Sequence, residues 1–510
     1  MRSCPSSGAI GKRRAGVVVG LAWFVLGAIA WQAATAQEPT DAGPPADGPQ
    51  PGVVADLVTR YHLFESYSTK GGPGAIGAYR VAFRETENQV NEVAQGAPRR
   101  TQRSIQTVYT ERPVQLGFGD ERNVTALVRR YETMRASQDP FTKILGHQLL
   151  DGLTIWYQKR SSDAPLILSL TPGRRLLEAE YQFALETVFV PNLAFVLPEY
   201  PRRIGESWDI PPEGAEELIG QNLSGGGLIG KLSAIQAEPK GTGQVAVIDV
   251  SGRVSTQVGD TLVRARVLFA FAPQPSRASD KKDEKDLVEA QGAIVKISLG
   301  QSSTAVEVGP KRGEERLKQM IKRELILERR LDADAASLTA PGAPPEATEE
   351  NSWLTYVDLK GRFTFRHPQD LLLIRGESLD VIHLGHRRES GGDLVELTFT
   401  PKGKTSSDEF FKRRAQPRSK LGLEIIPGAT QALAGWPESM RAVRASAAAR
   451  PSSRGGPDGM YFFDYAVQFS QNASLTVGAT TTGEAPLVFR DGIEAMLKTF
   501  RLGPPDEVKR

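Results

Sequence analysis

The stretch Ser224–Val250, SGGGLIGKLSAIQAEPKGTGQVAVIDV, has two readings, and the choice between them decides the fold. Gly225-x-x-x-x-Gly230-Lys231 matches the first seven positions of a phosphate-cradling loop. Such a loop follows a buried strand, opens a helix and ends on a Ser or Thr whose hydroxyl holds magnesium. Here Leu232 stands at that last position, and the residues beyond it read as strand, Gly-rich turn, strand. The glycines are then a flexible lead-in to a hairpin, and the chain is a β protein without a nucleotide site.

The rest of the first half keeps that rhythm. GAYRVAFRE, RSIQTVYTE, LTIWYQK, GQVAVIDVSGRVSTQ, TLVRARVLFAFA and GAIVKISLG alternate, or are rich in β-branched and aromatic residues. One helix interrupts them: in RRLLEAEYQFALETV, Leu177, Tyr181, Ala184 and Val188 recur at helical spacing. EERLKQMIKRELILERRLD is ambiguous by pattern, with helix passing into strand as one reading. A long antiparallel sheet curling around a helix accommodates these elements.

Arg2, Lys12, Arg13 and Arg14 precede the uncharged run Ala15–Ala36, which closes on the small residues Ala34 and Ala36. This is the pattern of a secretory signal peptide over 1–36, with cleavage between Ala36 and Gln37. The alternative is an uncleaved segment anchoring the chain in a membrane, since the run is long enough to span one. Cys4, the only cysteine, lies before the apolar run, so the exported chain has no disulfide or thiolate chemistry. All 60 acidic residues but only 59 of the 63 basic ones lie beyond Ala36, so removal of the signal takes the net charge from +3 to −1. Nucleic acid is therefore not an expected partner.

Residues 37–53 form a Pro/Gly-rich tether. A second such stretch, 334–352, divides a β-rich domain over 54–333 from a smaller one over 353–503, with a short tail at 504–510. No motif names a reaction. GESWD at Gly205–Asp209 lacks the second glycine of a nucleophile elbow. In HLGH, His383 and His386 fall on opposite faces of a strand. His62, His147 and His367 are isolated, and DADAAS at Asp332 lacks the glycine of a calcium loop. No metal, cofactor or catalytic set is expected.

In the second domain, LKGRFTFRHPQDLLLI is a strand entering a turn at Pro368. Ser406 and Glu409 have capping-box spacing, and Phe489, Ile493, Met496 and Phe500 share one helical face after Pro486. Carried by Gly361–Pro368, the Ala434-Gly435 turn and Met496–Leu502, this order resembles the PsbP-like fold over about 353–503. That resemblance implies an α/β/α sandwich acting as an interaction or scaffold module. Leu371 and Leu372 stand where relatives often place Trp. The first domain, through LPEYPRRIGESWDI, resembles uncharacterised exported bacterial domains. More loosely, it is similar to the half-barrel of LolA and LppX lipoprotein carriers, which implies an apolar or acyl ligand.

The expected fold is therefore α+β, mostly antiparallel: a large curved sheet or half-barrel with a helix, then the PsbP-like sandwich. The charges differ modestly between the halves, with 22 basic and 18 acidic residues from Trp353 onward against 37 and 42 in 37–352. FKRRAQPRSK and HRRES concentrate positive charge, fitting a solvated surface, or contact with an acidic partner or anionic lipid head groups. Three functions are compatible with these features. The leading one is a non-enzymatic exported binding module for an unknown envelope protein, periplasmic or extracellular. The second is a carrier of an apolar ligand in a cavity lined by Leu177, Tyr181, Val263, Val267 and Phe269. The third is a hydrolase assembled from acidic or histidine residues meeting in one cleft.

Overall fold

The computed structural model describes residues 59–69, 75–93, 98–117, 120–137, 150–160, 165–238, 243–256, 259–272, 287–308, 315–331, 338–339, 341–375, 380–386, 392–403, 406–419, 423–451, 460–482 and 485–503. The signal segment with Ala36 and Gln37, the tether, the tail, His147 and Asp332 lie outside the described residues.

Clean two-residue alternation builds the first region. In β11 (Gly259–Phe271) every second side chain from Thr261 to Phe271 is buried, and Arg264 and Arg266 point outward. The same logic runs through β1 (Arg60–Phe64), β2 (Tyr79–Val93) and β3 (Arg99–Gly117), whereas β4 (Asp120–Ser137), β5 (Thr154–Gln158) and β6 (Leu166–Ser169) are partly buried on both faces. The alternation continues in β8 (Ser207–Ile210), β9 (Leu223–Ala237), β10 (Gln244–Thr256), β12 (Leu287–Val308) and β13 (Glu315–Arg330). These twelve strands form one open sheet in the order β6-β5-β4-β3-β2-β13-β12-β11-β10-β9-β8. β1 lies parallel to β12 from Leu287 to Gln291, where β13 has already ended.

β13 is strand throughout, so the reading of EERLKQMIKRELILERRLD as helix passing into strand is corrected. Its pairing with both β12 and β2 supplies backbone partners that outweigh the helical propensity of its Glu, Lys and Leu residues. The helix expected in Arg174–Val188 is shorter, α1 (Glu178–Glu186). Leu177 precedes it, forming β7 (Leu176–Leu177), and Val188 leads into a 3-10 run, Val190–Val196. Glu180 starts the helix by accepting the Leu177 N–H at 2.9 Å.

The inner faces of strands near both sheet edges, such as Ile155 and Ile167 at one and Ile210 and Leu228 at the other, share a single core. α1, the 3-10 run and α2 (Pro212–Ile219) contribute Tyr181, Phe183, Leu193 and Leu218 to it. The open sheet therefore curls around these helices.

The second region holds a seven-stranded antiparallel sheet. Its strands are β16 (Leu371–Arg375), β17 (Val381–His386), β18 (Leu394–Thr400), β19 (Leu423–Ala432), β20 (Met440–Pro451), β21 (Met460–Phe469) and β22 (Ser474–Thr481). After the short turn α3 (Glu349–Ser352), two longer helices cover this sheet, α4 (Ser407–Ser419) and α5 (Pro486–Lys498). Arg414 of α4 reaches Asp464, whereas Glu494 of α5 pairs with Arg444, the cross-strand partner of Tyr465. Asp464 and Tyr465 face opposite sides of β21, so the two helices lie on opposite faces.

The regions are joined by a third sheet. β7 runs parallel to β14 (Trp353–Val357), which pairs with β15 (Phe363–Pro368) and through it with β23 (Arg501–Leu502). Leu354 belongs to the first core, while Tyr356 belongs to the second. The Pro-rich stretch between the domains is partly docked: Leu338 packs with Ala126, Val128, Trp156 and Leu168 on the outer sheet face. Its carbonyl accepts from Arg112 at 3.1 Å.

Candidate functional site

The phosphate-loop decoy is a strand. Leu228, Gly230 and Leu232 face inward, while Ile229 and Lys231 point to solvent, with Lys231 opposite Asp249 of β10. Gly230 lies under the indole of Trp208, where a Cβ would sit 2.6 Å from the ring. Trp208 is buried, and its Nε1 donates to the Val196 carbonyl at 3.0 Å. The glycines expected to lead into a hairpin instead lie within β9: Gly225–Gly227 pair with Ser255–Arg253. At Gly226 the backbone is left-handed (φ +79°) and the Arg253 carbonyl leaves no room for a side chain.

Of the proposed cavity residues, Tyr181, Val263, Val267 and Phe269 are fully buried in the first core. Val263, Val267 and Phe269 share the inner face of β11, as their spacing required. Leu177 is only half-buried and pairs with Thr355 of β14, which places it at the junction of the two regions rather than on a helix face.

The same concave face carries a charged network that sequence patterning did not reveal. Tyr79, Glu111 and Arg129 are successive cross-strand partners on β2, β3 and β4. The Tyr79 hydroxyl donates to Glu111 at 2.7 Å, and Arg129 grips the same carboxylate through Nε at 2.6 Å and a terminal nitrogen at 2.5 Å. Arg129 also donates to the Tyr131 hydroxyl and the Val188 carbonyl, and lies 4.7 Å over the Tyr109 ring. Beside it, Arg329 pairs with Glu65 and donates to Tyr67 at 3.1 Å, 5.0 Å over the Tyr79 ring. Glu65 also accepts the Ile294 N–H at 2.5 Å, close to where β1 takes over from β13 beside β12.

Both ion pairs are wholly buried. Burial alone would depress the Arg129 guanidinium, but Glu111 together with Tyr131 and Tyr109 outweighs it and keeps the group charged. Burial, then the neighbouring carboxylates, push Tyr67 and Tyr79 well above the ordinary phenol value, so both act as donors. A third carboxylate, Glu217 of α2, accepts from the Phe189 N–H at 2.5 Å and from Asn192 at 2.9 Å. Its pKa is raised, because desolvation outweighs these bonds.

At the junction, His367 of β15 faces Glu178 of α1, with Nε2 3.1 Å from Oε2 and both side chains buried. Its Nδ1 stands 3.0 Å from the Pro368 carbonyl. Isolated in the sequence, His367 is brought by the fold to a carboxylate 189 positions away in the chain. His62 approaches Glu289 at 3.4 Å, and His383 approaches Glu396 at 3.6 Å, both on accessible surfaces. Among the described residues no three His, Cys, Asp or Glu side chains gather to hold a metal ion, and no helix is long and apolar enough to cross a membrane.

The geometry defines a two-region, mostly antiparallel β protein whose large open sheet wraps a core containing two buried ion pairs. No protein-family model and no curated protein sequence matches the chain. Among solved structures, cyanobacterial PsbP from Synechocystis aligns with a TM-score of 0.24 and 13% identity, over 32% of this chain and 98% of that one. A structure describing lipid–protein interactions in lipovitellin aligns with a TM-score of 0.23 and 10% identity, over 55% of this chain and 27% of its own. A LolA superfamily protein from Nitrosomonas europaea gives 0.11 and 10%, over 49% and 84%. These are weak structural resemblances, and none places the chain in a family.

Proposed function

We propose that the chain is an exported, non-enzymatic binding module of the cell envelope, whose second region is a PsbP-like domain. The observation that supports it is the closed interior. Tyr181, Val263, Val267 and Phe269 share one core with the 3-10 run and α2, so the outer surfaces and the junction, rather than the concave face, are left for partners. The PsbP-like reading rests on the order of β14–β23 with helices on opposite sheet faces. Export rests on the N-terminal charge and hydropathy pattern.

The second reading, a carrier of an apolar ligand, is favoured by the arrangement of a sheet curling around helices. It requires the core to open. Native mass spectrometry of the chain from Gln37 onward, purified gently from an envelope fraction, separates the two. The binding-module reading expects no acyl-bearing adduct, even after incubation with envelope lipids. A retained lipid, identified by extraction, would move the assignment to the carrier.

A further inference from the structure

Away from the packed interior, residues 338–339 and 341–352 lie along the outer face of the first sheet beside β5 and β6. Beneath it lies a groove of about 430 Å³ lined by Arg130, Thr154, Leu170, Thr171, Thr339 and Pro341. Around the Leu170–Pro172 turn, which lines both hollows, it continues as a second hollow of about 220 Å³ bounded by Arg174, Arg175, Thr348, Glu350 and Asn351.

Three guanidinium groups thus stand along the groove against one carboxylate. Arg174 is held by Glu180 at 2.6 Å and by the Asp151 carbonyl at 3.0 Å, which fixes it in place. Arg130 and Arg175 form no ion pair among the described residues, and the buried Nε of Arg175 has no hydrogen-bond partner there. Glu132, on the same face of β4 as Arg130, is bonded by Arg80 at 2.6 Å and shares its charge between Arg80 and Arg130. Apolar lining is confined to Leu170 and a few prolines, too little to hold an acyl chain.

We infer that this groove binds a small phosphate-bearing molecule with a polar body. The forked donors of Arg175 take the phosphate, which matches their geometry in two parallel bonds, beside Arg174, whose terminal nitrogens are engaged by Glu180 and the Asp151 carbonyl. The hydroxyls of Thr154, Thr171 and Thr339, each able to donate or accept, take the polar body, with Arg130 flanking it. The site lies where the inter-domain chain meets the first sheet, a common position for ligand clefts. It makes no use of the concave interior, so it stands whether or not the core opens.

The test is isothermal titration of the chain from Gln37 onward with inorganic phosphate, with glycerol 3-phosphate, and with phosphatidylglycerol vesicles against phosphatidylcholine vesicles. The expected result is saturable binding that Arg175→Gln weakens about tenfold. Glu350→Gln should tighten it about twofold by removing the one opposing charge. Arg413→Gln, on the remote α4, should leave it unchanged. Binding of the soluble probes identifies a free phosphate ligand. Binding to phosphatidylglycerol vesicles alone, lost in Arg175→Gln, identifies a lipid headgroup. If Arg175→Gln does not fold, Arg130→Gln, at an exposed position, carries the test with glycerol 3-phosphate. No saturable binding to any probe, or binding that both arginine variants leave intact, overturns the inference.

Discussion

Arg129 and Glu111 illustrate what a buried ion pair demands of its surroundings. Every nitrogen of Arg129 is engaged, on Glu111, Tyr131 or the Val188 carbonyl, and Tyr79 takes the remaining side of the carboxylate. Removing one partner strands the other charge in the core, so Arg129→Met should cost about 3–5 kcal/mol in urea denaturation. Arg129→Met with Glu111→Gln removes both charges and should cost less than the single change; a double loss equal to the sum would show that the pair is not coupled. Glu217 behaves in the opposite sense, since burial raises its folded pKa. Between the ordinary carboxylate range and that raised value the folded chain holds a proton the unfolded chain has lost. The stability it contributes is therefore complete below the ordinary range and is lost as pH rises through the folded value. Glu217→Gln should flatten this part of the profile in denaturation curves from pH 4 to 8, so the wild-type stability minus that of the variant should fall with rising pH.

β9 shows how much of an element is legible. The absence of Ser or Thr at position 232 and the strand-like sequence beyond it were enough to dismiss a nucleotide loop. They did not show that the glycines continue the strand, because Gly230 is small for the sake of Trp208, its cross-strand partner on β8. Gly230→Ala should accordingly destabilise by about 1–3 kcal/mol through overpacking against the indole, whereas Lys231→Ala, at an exposed position, should have little effect on the melting temperature. A larger loss at Lys231 than at Gly230 would contradict the assignment. The charged residues of the core were hidden for a related reason. Glu111 follows Thr107 and Tyr109 in the inward phase of β3, and Arg329 follows Leu325 and Leu327 in that of β13. His367 likewise continues the phase of Phe363 and Phe365. A charge standing in the apolar phase of a strand was the available signal, but its partner lay elsewhere in the chain, up to 264 positions away, which periodicity cannot supply.

The same contrast governs the whole chain. Two β regions and the approximate division between them follow from alternation and a Pro-rich stretch, both local properties. The sheet that joins the regions does not, since β7 contributes only two residues and pairs with a strand far along the chain. Nor does alternation distinguish an inner face that closes on helices from one that lines a cavity, because both bury every second residue. Phe269 is the residue at which the two differ. It is fully buried on β11, 6.0 Å from the Phe271 ring, within the core that α1 and α2 complete. The most direct measurement is the urea denaturation of Phe269→Ala beside the wild type, each assayed for bound lipid. A closed core predicts a loss of about 3–5 kcal/mol with no lipid in either protein. A loss below about 1 kcal/mol, with lipid present in the wild type and missing from the variant, would mean that Phe269 lines a ligand cavity and would contradict the closed interior.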